Sequence, residues 1–274
     1  ARTLVALQRT RRTTMTFQIL DVGHGFCAQV VADNGNVMLF DCGHKSYPEF
    51  RPSAHLMANG CTGVERFFVT NYDEDHISDL PHLRALLPVR TLHCNRSIST
   101  GQLRALKRQA GPTSEAMESL LQMIDYYSGS EQAPVLDFPD ITWSSFCNSY
   151  GAEFLDTNNL SLVTFLACRG LRVIIPGDLE EAGWKKLLGN ARFSEHLNQV
   201  NVFIAPHHGR ESGYCREVFK ICRPAIVVFS DSAVKYATQE MTNTYANHAT
   251  GIQFNDEERR VLTTRKDGTL TWTL

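Results

Sequence analysis

Residues 69–80 read VTNYDEDHISDL and place Asp73, Glu74, Asp75 and His76 directly behind the apolar run 64–70. That run has the pattern of a buried strand, so the three carboxylates and the imidazole stand where the backbone leaves a sheet. Carboxylates crowded together with no basic residue among them repel one another and resist burial, unless a cation sits between them. A divalent metal ion is the usual solution.

Similar endings recur along the chain. The stretch NVMLFDCG leaves Asp41 at the end of a strand, VIIPGDLEE leaves Asp178 beside Gly177, and VFIAPHHGR leaves His207 and His208 beside Gly209. Glycine at such an exit lets neighbouring backbone approach closely and turns polar side chains toward one rim. Taken singly, an aspartate behind a strand often caps the next helix and a histidine there is often merely hydrogen-bonded. Taken together and in this order, four apolar strands delivering Asp41, the 73–76 group, Asp178 and a histidine pair predict a site for one or two cations. Metal ions held there would acidify a water and clamp an oxyanion during hydrolysis.

The remaining chain supplies the frame. FQILDVG, FCAQVVAD and NVMLFDCG read as a three-stranded meander, with turns at Gly23-His24-Gly25 and Asp33-Asn34-Gly35. A short helix is expected over 48–59, and another capped by Ser78 or Asp79 and running to about Leu87. Two helices broken at Gly111-Pro112 carry Arg96, Arg104, Lys107 and Arg108, and look like an insertion over about 96–130. Strands then resume in SLVTFLAC, LRVIIPGD, VNVFIAP and AIVVFSD, with helices expected at about 180–188 and 214–221. RRVLTTRKDGTLTWTL predicts a closing hairpin turned at Asp267-Gly268. Two halves of strands followed by helices, without a composition break, predict one α/β domain over 17–274 behind an N-terminal extension of residues 1–16.

With 43% hydrophobic and 20% charged residues, 274 residues suffice for a full core. A net charge of −2 gives no global attraction to nucleic acid or to a membrane surface, so any polyanion site must be local. The eight cysteines form no Cys-x-x-Cys pair and several sit in apolar runs, which predicts reduced core thiols in a cytoplasmic protein. No apolar run approaches the roughly 18 residues of a membrane span.

These segments resemble the metallo-β-lactamase fold hydrolases, and within them the soluble nuclease-like domain of the ComEC/Rec2 competence proteins. LDVGHGFCAQVV is similar to that group's DVGQGD opening, LFDCG to its DTG strand, and VTNYDEDHISDL to its His-x-His-x-Asp-His loop. NNLSLV, IIPGDL and APHHGR resemble its NN-x-SLV, LLTGD and HHGS segments. The resemblance covers almost the whole chain from Phe17 and implies a four-layer αββα sandwich. It also implies Asp75 and His76 as ligands of a second metal, Asp178 as a bridging ligand, and His207 or His208 as the final histidine. Asp73 occupies the second histidine position and Asn71 replaces the first. Oxygen ligands there would favour Mn²⁺ or Mg²⁺ in competition with Zn²⁺, or the loss of one metal. His24 stands where relatives carry Gln, and either replaces a ligand, gives a proton to a leaving group or simply caps its turn.

The function implied is a metal-dependent phosphodiesterase, with a nucleic acid or nucleotide as substrate. In it Asp75 and His24 serve the catalytic centre, Asp41 orients the ligands, Asn159 and Ser161 line the cleft, and the basic residues of 96–108 meet phosphate. The alternative is a non-catalytic or single-metal module that kept the fold and lost turnover through Asn71.

Overall fold

A computed structural model describes residues 14–128, 136–151, 153–233 and 240–274. Strands β1 (Thr16–Ile19), β2 (Ala28–Val31) and β3 (Val37–Phe40) form the expected antiparallel meander. After α1 (Pro52–Ala58), β4 (Arg66–Phe68) joins β3 in parallel; α2 (Glu74–Ile77) and α3 (Leu80–Leu86) follow, and β5 (Leu92–His93) adds in parallel to β4. Helices α4 (Thr100–Arg108) and α5 (Glu115–Ser128) are those expected over 96–130.

The second half repeats the plan. Strands β6 (Ile141–Phe146), β7 (Val163–Cys168) and β8 (Leu171–Ile175) are antiparallel, and α6 (Glu181–Leu188) and α7 (Ala191–Leu197) lead to the parallel strands β9 (Val202–Ile204) and β10 (Ile226–Phe229). Then come α8 (Thr242–Ala246), a small ribbon of β11 (Ile252–Phe254) and β12 (Glu257–Arg259), β13 (Val261–Thr263), α9 (Thr264–Asp267) and β14 (Leu270–Thr273). One sheet has the order β14-β1-β2-β3-β4-β5, the other β13-β10-β9-β8-β7-β6.

Alternation along each strand explains the layering. In β3, Met38 and Phe40 face the core between the sheets, while Val37 and Leu39 face helices α1, α3 and α5. In β10, Ile226 and Val228 face the same central core, and Val227 and Phe229 pack under Trp184 and Phe193 of the opposite helical layer. Strands apolar on both faces are the mark of a sheet covered on both sides. The result is a four-layer αββα sandwich. Phe40 and Phe68 stack at 4.6 Å in its centre, and burying each ring contributes about 1.5–3 kcal/mol.

Three local expectations are corrected. The closing segment is not a hairpin: β13 extends the second sheet beside β10 and β14 extends the first beside β1, with α9 carrying the chain across. Leu262 and Leu270 therefore enter the same inter-sheet core from opposite sides. Asp79 precedes α3 without capping it; its carboxylate instead accepts from Ser53 N at 2.8 Å and Arg51 Nη1 at 3.1 Å, binding α1 to α3. The helix expected at 214–221 is a single 3-10 turn, Val218–Lys220. Met15 is buried and Thr16 already pairs with Val31, while residues 1–13 of the expected extension lie outside the described residues. All eight cysteines are free, and six of them are buried.

Strands β3 and β4 run in parallel, as do β8, β9 and β10. Each set therefore presents its carboxyl ends at one edge, where open α/β sheets place their chemistry. No helix among the described residues is long and apolar enough to cross a membrane.

Candidate metal centre

The loop after β4 is built around Asp41. This residue leaves β3 with φ 56°, a left-handed conformation that costs a non-glycine residue roughly 1–2 kcal/mol. Its carboxylate is fully buried and accepts from Thr70 N at 2.7 Å, from Thr70 Oγ1 and from His76 Nδ1 at 2.7 Å. Holding Nδ1 fixes the tautomer, so that His76 Nε2 faces Asp178 Oδ1 at 3.0 Å. Asp75, next in the loop, is clamped by backbone. Phe26 N donates to its carbonyl at 3.2 Å, and a Cβ on Gly43 would stand 2.0 Å from that oxygen. The glycine of FDCG is thus required for the loop to close.

Asp178 leaves β8 through Gly177, whose φ of 60° and tight contacts with Ser161 Oγ and Thr70 O leave no room for a side chain. Ser161 Oγ accepts Asp178 N–H at 3.0 Å. Beyond β9, His207, His208 and Gly209 are all left-handed, with φ of 50°, 54° and 79°. This turn swings His208 inward. Its Nδ1 donates to Ser230 O at 2.9 Å, and its Nε2 lies 3.1 Å from Asp75 Oδ2 and 3.7 Å from Asp178 Oδ1. Neither contact has the angles of a directed hydrogen bond, though at 3.1 Å the protonated imidazole and the Asp75 carboxylate form an ion pair. His24, at the more exposed side, brings Nε2 to 3.4 Å from Asp75 Oδ2 and stacks obliquely on His208 with ring centres 4.6 Å apart.

Two overlapping donor groups result, His24–Asp75–His208 and His76–Asp178–His208, each with all its ligand atoms within 4.8 Å of one another. The electrostatics follow from the packing. Burial opposes charge on His76, yet Asp178 and Asp41 together hold its pKa well above the usual imidazole value. His208 is likewise raised against burial by Asp178 and Asp75. Burial also works against ionised Asp75 and Asp178, but His208 and His76 outweigh it and both carboxyls are depressed, Asp178 to about 2. His24 goes the other way, brought down to about 4 by burial and by the neighbouring His208.

A cation fits this arrangement. Without one, protonated imidazoles are the positive charge among the carboxylates. A metal would displace those protons and give His208 Nε2 the directed bond it lacks, while Asp41 and the Ser230 carbonyl already hold the far nitrogens of both imidazoles in the ligating tautomer.

Other expected site residues lie elsewhere. Asn71, expected as a ligand, spends its Oδ1 on Asp73 N–H at 2.8 Å and its Nδ2 on Ser161 Oγ and Asn158 Oδ1, both at 3.2 Å. Asp73 is paired with Lys107 Nζ at 2.6 Å and accepts from Thr157 Oγ1 at 2.7 Å. Of the two candidate histidines only His208 belongs to the donor groups; His207 points Nδ1 at Ser212 Oγ, 3.0 Å away, and Glu180 Oε1, 3.3 Å away, with Nε2 3.9 Å from Asp178 Oδ2. Asn159 and Ser161, expected to line a cleft, are buried braces; Asn159 Oδ1 accepts Gly183 N–H at the start of α6. Arg96 and Arg104, expected to meet phosphate, are bonded to Ser128 Oγ and Glu118.

Sequence reasoning overlooked Ser230 and Arg210. Ser230 closes β10 just as Asp41 closes β3, and its Oγ also donates to Gly25 O at 2.7 Å, tying down the Gly-His-Gly turn. Arg210 follows Gly209; its Nη1 lies 3.5 Å from His207 Nε2 and its Nε is buried with no hydrogen-bond partner. A small cavity lined by Phe26, His76, Asp178, His208 and Ser230 lies against the centre. Larger concavities, such as that bounded by Trp143, Phe165 and His196, contain no comparable donor group among the described residues.

No family model matches the chain, and no curated protein matches it. Solved structures do. CmlA, a diiron β-hydroxylase from Streptomyces venezuelae, is 12% identical with a TM-score of 0.53, the match covering 95% of this chain and 54% of that one. YhfI from Bacillus subtilis, a metallo-beta-lactamase fold protein, is 10% identical with a TM-score of 0.48, covering 93% and 99%. A diphosphatase from the PhnP family is 12% identical with a TM-score of 0.47, covering 95% and 98%. At 12% identity the likeness to CmlA, the one of these three with a TM-score above 0.5, is one of fold alone.

Proposed function

We propose that this protein is a metal-dependent hydrolase whose cation is held by Asp75, His76, Asp178 and His208, with His24 on the exposed side. The observation that carries the reading is the buried His208 Nε2, which lacks a directed hydrogen bond and stands between the carboxylates of Asp75 and Asp178. A divalent cation in this position supplies Lewis acidity, which acidifies a water nucleophile and offsets charge on an oxyanion. Asp41 acts as a positioning residue through His76, and Ser230 does the same through His208. His24 is the most exposed imidazole of the group and closes the donor set on that side.

For the substrate we propose a phosphodiester, either nucleic acid or nucleotide. Arg210 supports an anionic substrate: it has a buried, unpaired Nε, is near enough to His24 to depress that imidazole further, and makes no salt bridge to a carboxylate among the described residues. Guanidinium groups match phosphate oxygens in geometry and charge. The resemblance of the chain's motifs to those of the ComEC/Rec2 nuclease-like domain supports the same reading. The test is cleavage of bis(p-nitrophenyl) phosphate and of the lactam nitrocefin by Mn²⁺- or Zn²⁺-loaded protein, beside Asp178→Asn and Arg210→Ala. Cleavage of the first alone, abolished by Asp178→Asn and with KM raised by Arg210→Ala, is expected. No phosphodiester turnover under any divalent cation would leave a non-catalytic module.

A further inference from the structure

The number of cations can be counted from lone pairs, given the metal-binding reading above. Both donor groups at the centre include His208. Its Nδ1 is committed to the carbonyl of Ser230, so only Nε2 has a free lone pair. One such pair makes one coordinate bond. The two groups are therefore halves of a single coordination sphere and cannot each be filled at once.

A second ion at the position the motif resemblance implies would use the other end of the 71–76 loop, where Asn71 Oδ1 and one oxygen of Asp73 are already engaged. Asn71 Oδ1 accepts Asp73 N–H, and Asp73 Oδ1 is shared by Lys107 Nζ and Thr157 Oγ1. Lys107 comes from α4 and Thr157 from the loop before β7, so two separate elements converge on one carboxylate oxygen. His207, the remaining imidazole, has Nδ1 turned to Ser212 and Glu180; its Nε2 lies 3.9 Å from Asp178 Oδ2 but faces the Arg210 guanidinium at 3.5 Å. Fixed cations of the protein itself thus stand against both donors that a second metal would need. Asp73 belongs to neither donor group.

We infer that the protein binds one divalent cation, within the sphere of His24, Asp75, His76, Asp178 and His208, and that the Lys107 ammonium closes Asn71 and Asp73 to a second. The ammonium neutralises Asp73 without a metal and would repel a divalent ion brought beside it.

The experiment is titration of chelator-stripped full-length protein with Mn²⁺, counting bound metal by elemental analysis after gel filtration and reading the electron paramagnetic resonance spectrum. One Mn²⁺ per chain with the signal of an isolated ion is expected. The Asn71→His/Lys107→Met variant, which supplies an imidazole and frees Asp73, is expected to take up a second equivalent. Two ions in the wild type, or a spin-coupled signal, would overturn the inference while leaving the hydrolase reading intact. A variant that folds and still binds one would overturn the assignment to Lys107, and no bound metal in the wild type would overturn both readings. The wild-type count decides the stoichiometry whether or not the variant folds.

Discussion

Replacing Asp41 by Asn tests how the centre is organised without touching a proposed ligand. The side chain keeps its shape, but one oxygen becomes an NH₂ group that can only donate. Asp41 receives three hydrogen bonds, from Thr70 N, Thr70 Oγ1 and His76 Nδ1. Thr70 N–H, just beyond β4, keeps the remaining oxygen. The new NH₂ then faces Thr70 Oγ1 and His76 Nδ1, where it can donate only if the imidazole moves its proton to Nε2. That tautomer has no lone pair for a metal. Loss of such a support typically lowers metal affinity 10–100-fold, which is about 1.4–2.7 kcal/mol. The assay is competition for Zn²⁺ with a chromogenic chelator at neutral pH, with circular dichroism to confirm folding. A folded Asp41→Asn protein whose affinity falls less than about 2-fold would refute the argument that Asp41 sets the His76 tautomer.

Gly209→Ala should destabilise the protein by more than about 2 kcal/mol, seen as a lowered denaturant midpoint, because φ is 79° and a Cβ would stand 1.9 Å from Phe229 Cε1. Gly43→Ala should fail in another way, by pushing the Asp75 carbonyl out of place; metal affinity is expected to fall by 10-fold or more even where the fold survives. Stability of the metal-free protein should depend on pH in a defined direction. The raised pKa values of His76 and His208 contribute stability that is complete below about pH 6.5 and lost as pH rises through their folded values. The depressed Asp75 and Asp178 contribute stability that is present above about pH 4 and lost on acidification below it. Thermal melts of chelator-treated protein should therefore peak between these limits, and the gain on adding Zn²⁺ should grow from about pH 5.5 to about pH 8 as protons stop competing for the imidazoles.

What the sequence disclosed was mostly what single strands determine. An apolar run ending in Asp, Gly-Asp or His-His-Gly declares both a buried strand and a polar group at its exit, so Asp41, Asp75, His76, Asp178 and the histidine pair were all visible as site candidates. Choosing between His207 and His208 required the left-handed turn, which two adjacent identical residues do not announce. The roles of Asn71 and Asp73 depended on Lys107, 34 residues beyond Asp73, and on Thr157 and Asn158, brought in by a different half of the chain. The misread ending has a similar origin. The patterns of β13 and β14 suit a hairpin as well as two edge strands, and only the packing of Leu262 and Leu270 into one core separates them. Ser230 gave little sign of itself, since it serves the centre through a backbone carbonyl that every residue possesses.

Whether a cation sits among Asp75, His76, Asp178 and His208 is decided by anomalous diffraction from crystals grown with Zn²⁺, recorded on both sides of the zinc absorption edge. One strong peak is expected within bonding distance of His76 Nε2, His208 Nε2 and oxygens of Asp75 and Asp178. A peak seated on Asn71 and Asp73 instead, or none at the centre with zinc in excess, would contradict the proposed centre.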